Sequence, residues 1–207
     1  KSLVNKDRDS IDIGANLGLF TYFMSRASKH VFAFEPNPYP LGNLKSLVDK
    51  NVTILPIALG NSDGPIKIKI PHHENGWSSN GASLSPRNEE PGKFIEIQCR
   101  KLDSLNINNI GLIKIDVEGF EIEVLKGAKE TILRNKPTMI IENESVHTKD
   151  TNELFLIMHE LGYNKYFCNS KSELKKIDDF SVEEHQLDAE NKDINYIQNY
   201  IFISKDA

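Results

Sequence analysis

The run Ile11-Asp-Ile-Gly-Ala-Asn-Leu-Gly-Leu-Phe-Thr21, followed by Phe32-Ala-Phe-Glu35-Pro36, constrains the fold more than any other part of the chain. A short apolar strand, a glycine turn, a helix and a second strand ending in a carboxylate make a βαβ unit, the opening of a nucleotide- or nucleoside-binding domain. The first strand is short and, apart from Asp12, apolar, as expected where both faces of a parallel sheet are covered. Gly14 can adopt the dihedrals of a tight strand-to-helix turn, and Gly18 is expected to let the helix lie close to the sheet. Phe20, Phe23, Met24 and Ala27 recur at i, i+3, i+4 and i+7, which predicts them as the helix's buried face. Glu35 stands 21 residues after Gly14, where an acidic side chain accepts hydrogen bonds from ribose hydroxyls.

The middle of the turn bears on the ligand. A dinucleotide fingerprint places a second glycine where the backbone presses on a pyrophosphate, but this chain has Asn16 in Gly-Ala-Asn-Leu-Gly. An asparagine side chain obstructs a pyrophosphate and offers amide hydrogen bonds instead. Asp12 adds a negative charge near the place where phosphates would lie. Both features favour a cationic, phosphate-free ligand, and S-adenosyl-L-methionine fits: it has a ribose, an adenine, an amino acid tail and a sulfonium. Asp12, Gly14, Asn16, Gly18, Glu35 and Pro36 are therefore candidate cofactor-binding residues, with Ala58 and Leu59 near the adenine and Asp116 near the amino acid tail.

Further along, strands alternate with helices, predicting an α/β fold with a mostly parallel sheet. Strands are expected near residues 10–14, 31–35, 52–57, 112–116 and 138–141. A single helix is expected to carry Ile122, Leu125, Ala128 and Ile132. Another follows Asp150-Thr151, with Leu154, Met158 and Leu161 on one face and Gly162 at its end. Strands near 163–168 and 200–203 complete the sheet. Two insertions interrupt the pattern. In 64–100, Ile66, Ile68 and Ile70 alternate with lysines, and Ile95, Ile97 and Cys99 alternate with polar residues, so two half-buried strands flank a long polar loop. That loop, 72–92, carries Trp77 and Ser83 and is a candidate substrate lid, given its length. The second insertion, 169–193, is charged and weakly periodic, the mark of a solvated surface.

Lys114-Ile-Asp-Val-Glu118 is the densest polar constellation. Alternation puts Lys114 and Asp116 on one face of a strand that should otherwise be apolar, and such violations tend to mark functional sites. A buried lysine needs a carboxylate partner, and Glu142 on the next strand is the expected one. Asp116 and Glu118 are the leading candidates for a general base, with Lys114 and Glu142 beside them. Glu144 and His147, after that strand, are candidate acceptor-binding residues. Glu118 and Glu121 also have an ordinary role near a helix start.

These segments resemble the FkbM family of S-adenosylmethionine-dependent methyltransferases. The matching runs are Ile11 to Gly18, Phe34-Glu-Pro-Asn-Pro38, Ala58-Leu-Gly-Asn-Ser-Asp63, Leu102-Asp-Ser-Leu105, Ile113-Lys-Ile-Asp-Val-Glu-Gly119 with Glu121 and Leu125-Lys-Gly-Ala128, and Pro137-Thr-Met-Ile-Ile-Glu142. The resemblance implies a class I methyltransferase Rossmann-like fold with an antiparallel C-terminal strand. It also implies O-methylation of a hydroxyl, on a sugar, glycan or polyketide-like acceptor. The alternatives are an NAD(P)-dependent oxidoreductase, opposed by Asn16 and the lack of a Tyr-x-x-x-Lys pair, and an inactive cofactor-binding module, opposed by Asp12, Glu35 and Asp116.

Composition narrows the partners. A length of 207 residues suits one domain, and a net charge of −5 opposes a nucleic-acid binder relying on a broad basic surface. The two cysteines, Cys99 and Cys168, lack metal-site spacing and read as thiols in a reducing compartment, so a cytoplasmic location is expected. No apolar run approaches the ~18 to 20 residues of a membrane span. His72-His73 has no further ligand at metal-site spacing, and no metal is expected.

Overall fold

The structure is a computed structural model and describes residues 3–73, 76–77, 92–143, 151–169, 171–179, 185 and 197–206. In chain order the strands and helices are β1 (Asp9–Ile13), α1 (Leu19–Ala27), β2 (Val31–Phe34), α2 (Leu41–Leu47), β3 (Val52–Leu55), β4 (Ala58–Leu59), β5 (Gly64–His73), β6 (Gly76–Trp77), β7 (Gly92–Arg100), β8 (Ile110–Ile115), α3 (Glu121–Lys126), α4 (Lys129–Asn135), β9 (Thr138–Glu142), α5 (Thr151–Glu160), β10 (Tyr163–Cys168), β11 (Leu174–Lys176) and β12 (Asn199–Ser204).

Eight strands form the main sheet in the order β11-β10-β12-β9-β8-β1-β2-β3. β3, β2, β1, β8 and β9 are mutually parallel, and β12 lies antiparallel between β9 and β10. The expected α/β class with an antiparallel C-terminal strand is therefore observed. The burial of β1 and β8 follows from their position at the centre, with helices on both faces. On one face Ile11, Ile13, Ile113, Ile115 and Ile141 pack with Val124, Leu125, Leu154 and Met158 of α3 and α5. On the other, Val31 and Leu112 meet Met24 of α1, while Ala33 meets Leu44 of α2.

The insertion builds a second, four-stranded sheet, β4-β7-β5-β6. β5 and β7 pair antiparallel from Gly64 opposite Cys99 to Pro71 opposite Gly92, and the expected alternation holds, with Ile68, Ile70 and Cys99 buried. The paired strands extend past the expected limits of the polar loop, and the backbone of Trp77 pairs with His72 in β6. Ser83 lies outside the described residues, as does most of the segment read as a lid.

Two expectations about helices need correction. The buried face of α1 is Thr21, Met24 and Ser25, whereas Phe23 is 61% exposed and Phe20 is 42% exposed. A polar pair decides this orientation: the Thr21 hydroxyl donates to the buried Asp12 carboxylate at 2.5 Å. A hydrogen-bonded polar pair can occupy the interior at little cost, so hydrophobic spacing alone misassigns the face. The helix expected to carry Ile122 to Ile132 is broken into α3 and α4 at Gly127. A Cβ at Gly127 would lie 1.8 Å from the Gly60 carbonyl oxygen, so the backbone between the two helices packs directly on the backbone after β4. α4 then starts afresh, and its first amides are capped from a distance. Asp103 accepts from Thr131 N–H at 2.8 Å and from Glu130 N–H at 3.1 Å. Among the described residues no helix is long and apolar enough to cross a membrane.

Candidate active site

The carboxyl ends of β1, β2 and β8 open into a cleft of about 320 Å³, where ligands enter open α/β sheets. Its lining includes Gly14, Asn16, Phe20, Glu35, Pro36, Ile57, Ala58, Leu59, Asp116, Glu118, Glu142 and Gln198. The first wall is the β1–α1 turn. Gly14 has φ 82°, and a Cβ there would sit 1.8 Å from the Asp116 carbonyl oxygen. Its glycine is thus required by the close approach of β1 to the end of β8. Asn16 follows in the left-handed region at φ 48°, which asparagine tolerates better than most residues.

Glu35 organises this wall. Its carboxylate is 6% exposed, and it accepts Asn16 N–H at one oxygen and Asn37 N–H at the other, each at 2.7 Å. It therefore ties the β1–α1 turn to the β2–α2 turn. A carboxylate has about four acceptor positions, so two remain for a ligand in the cleft. Burial pushes the carboxyl up to about 7, against the pull of the two amides, and the nearby charges of Asp12 and Asp116 act in the same direction as burial.

Asp12 and Gly18, both expected at the cofactor, do not line the cleft. Asp12 is buried beneath it and holds Thr21, and burial raises its carboxyl above the ordinary range. Gly18, at φ 95°, starts α1, and a Cβ there would fall 2.6 Å from Leu44 Cδ1 of α2. The close approach is thus to helix α2.

Opposite this wall lies the polar cluster of β8. Lys114 is 1% exposed and pairs first with Asp116 at 2.8 Å. Glu142 is second, at 4.0 Å. Residues two apart in extended chain share a face, so the nearer partner is the residue just past the end of β8. Asp12 is opposite Lys114 in the β1–β8 register, and the ammonium sits 4.4 Å from the centre of the Phe20 ring. Phe20 is therefore a wall of the cleft.

Past β8 the chain makes a tight turn through Glu118 at φ 54° and Gly119 at φ 94°. A glutamate in the left-handed region is uncommon and costs roughly 1–2 kcal/mol, and such positions cluster at functional sites. The residue that holds this turn was expected only as a helix-start acid. Glu121 is 3% exposed, and one of its oxygens accepts Gly119 N–H at 3.0 Å and Val117 N–H at 3.3 Å. Its place in the Asp-Val-Glu-Gly-x-Glu run was the available signal. Gln198, just before β12, carried none. Glu144 and His147 lie outside the described residues, and nothing is described of the Trp77 side chain.

Chemically, the cleft combines an apolar stretch (Ile57, Ala58, Leu59) with four carboxylates: Glu35, Asp116, Glu118 and Glu142. No lysine, arginine or histidine is among the described residues that line it. That donor set opposes a pyrophosphate and suits a flat apolar group joined to hydroxyls and positive charge. Among the described residues no group of three His, Cys, Asp or Glu side chains could hold a metal ion.

Comparison with known proteins gives one family. The profile described as "Methyltransferase FkbM domain" matches residues 12–165. The hexuronic acid methyltransferase AglP of Haloferax volcanii is 29% identical over 149 residues, covering 69% of this chain and 59% of that protein. The 2-O-methyltransferase NoeI of Sinorhizobium fredii is 27% identical over 157 residues, covering 65% of this chain and 63% of the relative. The chain thus spans about three fifths of the length of these curated relatives. Among solved structures, the methyltransferase FkbM of Methylobacillus flagellatus shares the fold with a TM-score of 0.58 and 16% identity, covering 96% of this chain and 44% of that one.

Proposed function

The chain belongs to the FkbM methyltransferase family, and from that premise we propose that it methylates a hydroxyl oxygen of a sugar or similar small-molecule acceptor, using S-adenosylmethionine. The observation that carries this reading is the lining of the cleft: four carboxylates, an apolar strip and no cationic side chain among the described lining residues. An NAD(P) cofactor would bring phosphates into that field. S-adenosylmethionine supplies a methyl group on a positively charged sulfur, with a ribose, an adenine and an ammonium and no phosphate. Glu35 would hold the ribose hydroxyls with its remaining acceptor positions, Ile57, Ala58 and Leu59 would cover the adenine, and Asp116 would face the positive charge of the tail.

Methyl transfer needs alignment first and proton removal second. Holding the reactants in line can supply several kcal/mol, up to roughly 7–11 in favourable systems. For the proton, two carboxylates compete. Asp116 is engaged by the Lys114 ammonium at 2.8 Å and is held in that ion pair. Glu118 stands beyond the strand end, in the strained turn, and lines the same cleft. We therefore assign the proton to Glu118, and to Lys114 the task of fixing Asp116 and Glu142. The sugar-type acceptor rests on the two relatives, whose names specify a hexuronic acid and a 2-O position.

The test is kinetic. With methyl-labelled S-adenosylmethionine and a panel of methyl hexosides and hexuronides, Glu118→Gln should lower turnover ~10²- to 10⁴-fold. Asp116→Asn should act mainly on cofactor affinity. Equal turnover in wild type and both variants would remove the general base from the account and leave positioning alone.

A further inference from the structure

We propose that Glu121 is a positioning residue: its buried carboxylate holds the turn of residues 117–119 so that Glu118 faces the cleft. The inference rests on the reading of Glu118 given above, and it comes from the way the turn is held. Val117 and Gly119 flank Glu118, and both of their N–H groups aim at the same Glu121 oxygen, at 3.3 and 3.0 Å. Between the two amides the chain turns left-handed at Glu118 (φ 54°), and a left-handed Gly119 (φ 94°) follows. The same turn directs the Glu118 side chain towards the cleft, whose lining includes Val117 and Glu118.

A left-handed glutamate relaxes unless its surroundings over-determine it. Here the restraint is local and comes from three sides. Asp116 N–H donates to the Ile13 carbonyl at 3.0 Å and fixes the strand end. Phe120 packs at Gly60, where a Cβ would lie 2.9 Å from its ring. Glu121 then closes the turn from the start of α3. Its second oxygen is buried with no hydrogen-bond partner among the described residues, and burial raises its carboxyl above the ordinary range. The turn aims two N–H donors at one buried oxygen of Glu121. The accepting oxygen is what the turn needs, and the charge is not.

That distinction sets the test. Glu121→Gln keeps an accepting oxygen, whereas Glu121→Ala removes it. Hydrogen exchange is measured at the Val117 and Gly119 amides, S-adenosylhomocysteine affinity by calorimetry, and turnover with labelled S-adenosylmethionine and the hexoside panel. In Glu121→Ala both amides should exchange about tenfold faster or more, and turnover should fall towards that of Glu118→Gln. Affinity for S-adenosylhomocysteine should stay within about threefold, because Glu35 and its two turns are untouched. Glu121→Gln should restore slow exchange and most of the turnover. Unchanged exchange in Glu121→Ala, or fast exchange with wild-type turnover, would overturn the inference, as would a Gln variant no better than Ala. If wild type binds no S-adenosylhomocysteine, the methyltransferase reading fails by itself, and the exchange rates with their Gln rescue decide this inference alone.

Discussion

The role proposed for Glu35 makes ligand binding depend on pH. Its carboxyl is raised from an ordinary 4.5 to about 7, mainly by burial. In the empty cleft roughly half of it is ionised at pH 7, about a tenth at pH 6 and about nine tenths at pH 8. Ribose hydroxyls donate to the ionised form, so binding draws on that fraction alone. Affinity should therefore fall about tenfold, or ~1.4 kcal/mol, from pH 8 to pH 6. The suitable probe is 5′-methylthioadenosine, which keeps adenine and ribose and has no amino acid tail to titrate in the same range. Calorimetry in two buffers of different ionisation enthalpy should register about half a proton released on binding at pH 7. Glu35→Gln should bind more weakly at pH 8 and show no slope. The sign for folding runs the other way. A carboxyl whose folded value is raised contributes stability that is full below its unfolded value and is lost as pH rises through the folded one. Relative to Glu35→Gln, the ligand-free wild type should therefore lose up to roughly 3 kcal/mol between pH 4.5 and 7. A flat affinity between pH 6 and 8, or a slope that survives in Glu35→Gln, would refute the assignment of Glu35 to the ribose.

Three substitutions, and a fourth as a control, test other parts of the account. Glu118→Gly should relieve the left-handed strain, raising stability by ~1 kcal/mol in urea unfolding while turnover is lost; a destabilised variant would show that Glu118 is not strained. Lys114→Met should cost ~3–5 kcal/mol, because it leaves Asp116 and Glu142 beside a buried apolar side chain; a variant that keeps its stability but loses activity would move the lysine into the chemistry. Gly127→Ala puts a Cβ 1.8 Å from the Gly60 carbonyl and should lower the melting temperature far more than the ordinary Gly→Ala change in a helix, whereas Gly42→Ala, with open space around it, should not.

The sequence showed the main sheet and the place of the site because both rest on local patterns. The parallel strands read as apolar runs, the β5–β7 pair as alternation, and the end of α5 as Gly162, found at φ 85°. What failed depended on close backbone packing and on polar contacts that hydrophobic periodicity does not register. The break at Gly127 exists because Gly60 lies beneath it. The face of α1 is set by Thr21 bonding to Asp12, a polar contact that hydrophobic periodicity counts against burial. Lys114 was legible as an anomaly with Glu142 as a partner, and Asp116, two residues along the chain, is the nearer one. Glu35 was legible as the acid that ends the second strand, but its hold on two turns was not. Glu121 looked like an ordinary helix-start acid, since nothing in the sequence announces that Glu118 is left-handed.

The central claim is that the carboxylate-lined cleft takes an adenosyl group without phosphates, and one calorimetric comparison reaches it most directly. Wild type is titrated with S-adenosylhomocysteine and with NAD under the same conditions, and Glu35→Ala with the first of these. The account predicts one-to-one binding of S-adenosylhomocysteine, no measurable binding of NAD, and a loss of ~1.5–3 kcal/mol in Glu35→Ala. Binding of NAD in preference to S-adenosylhomocysteine, or an affinity for the latter that Glu35→Ala leaves unchanged, would contradict it.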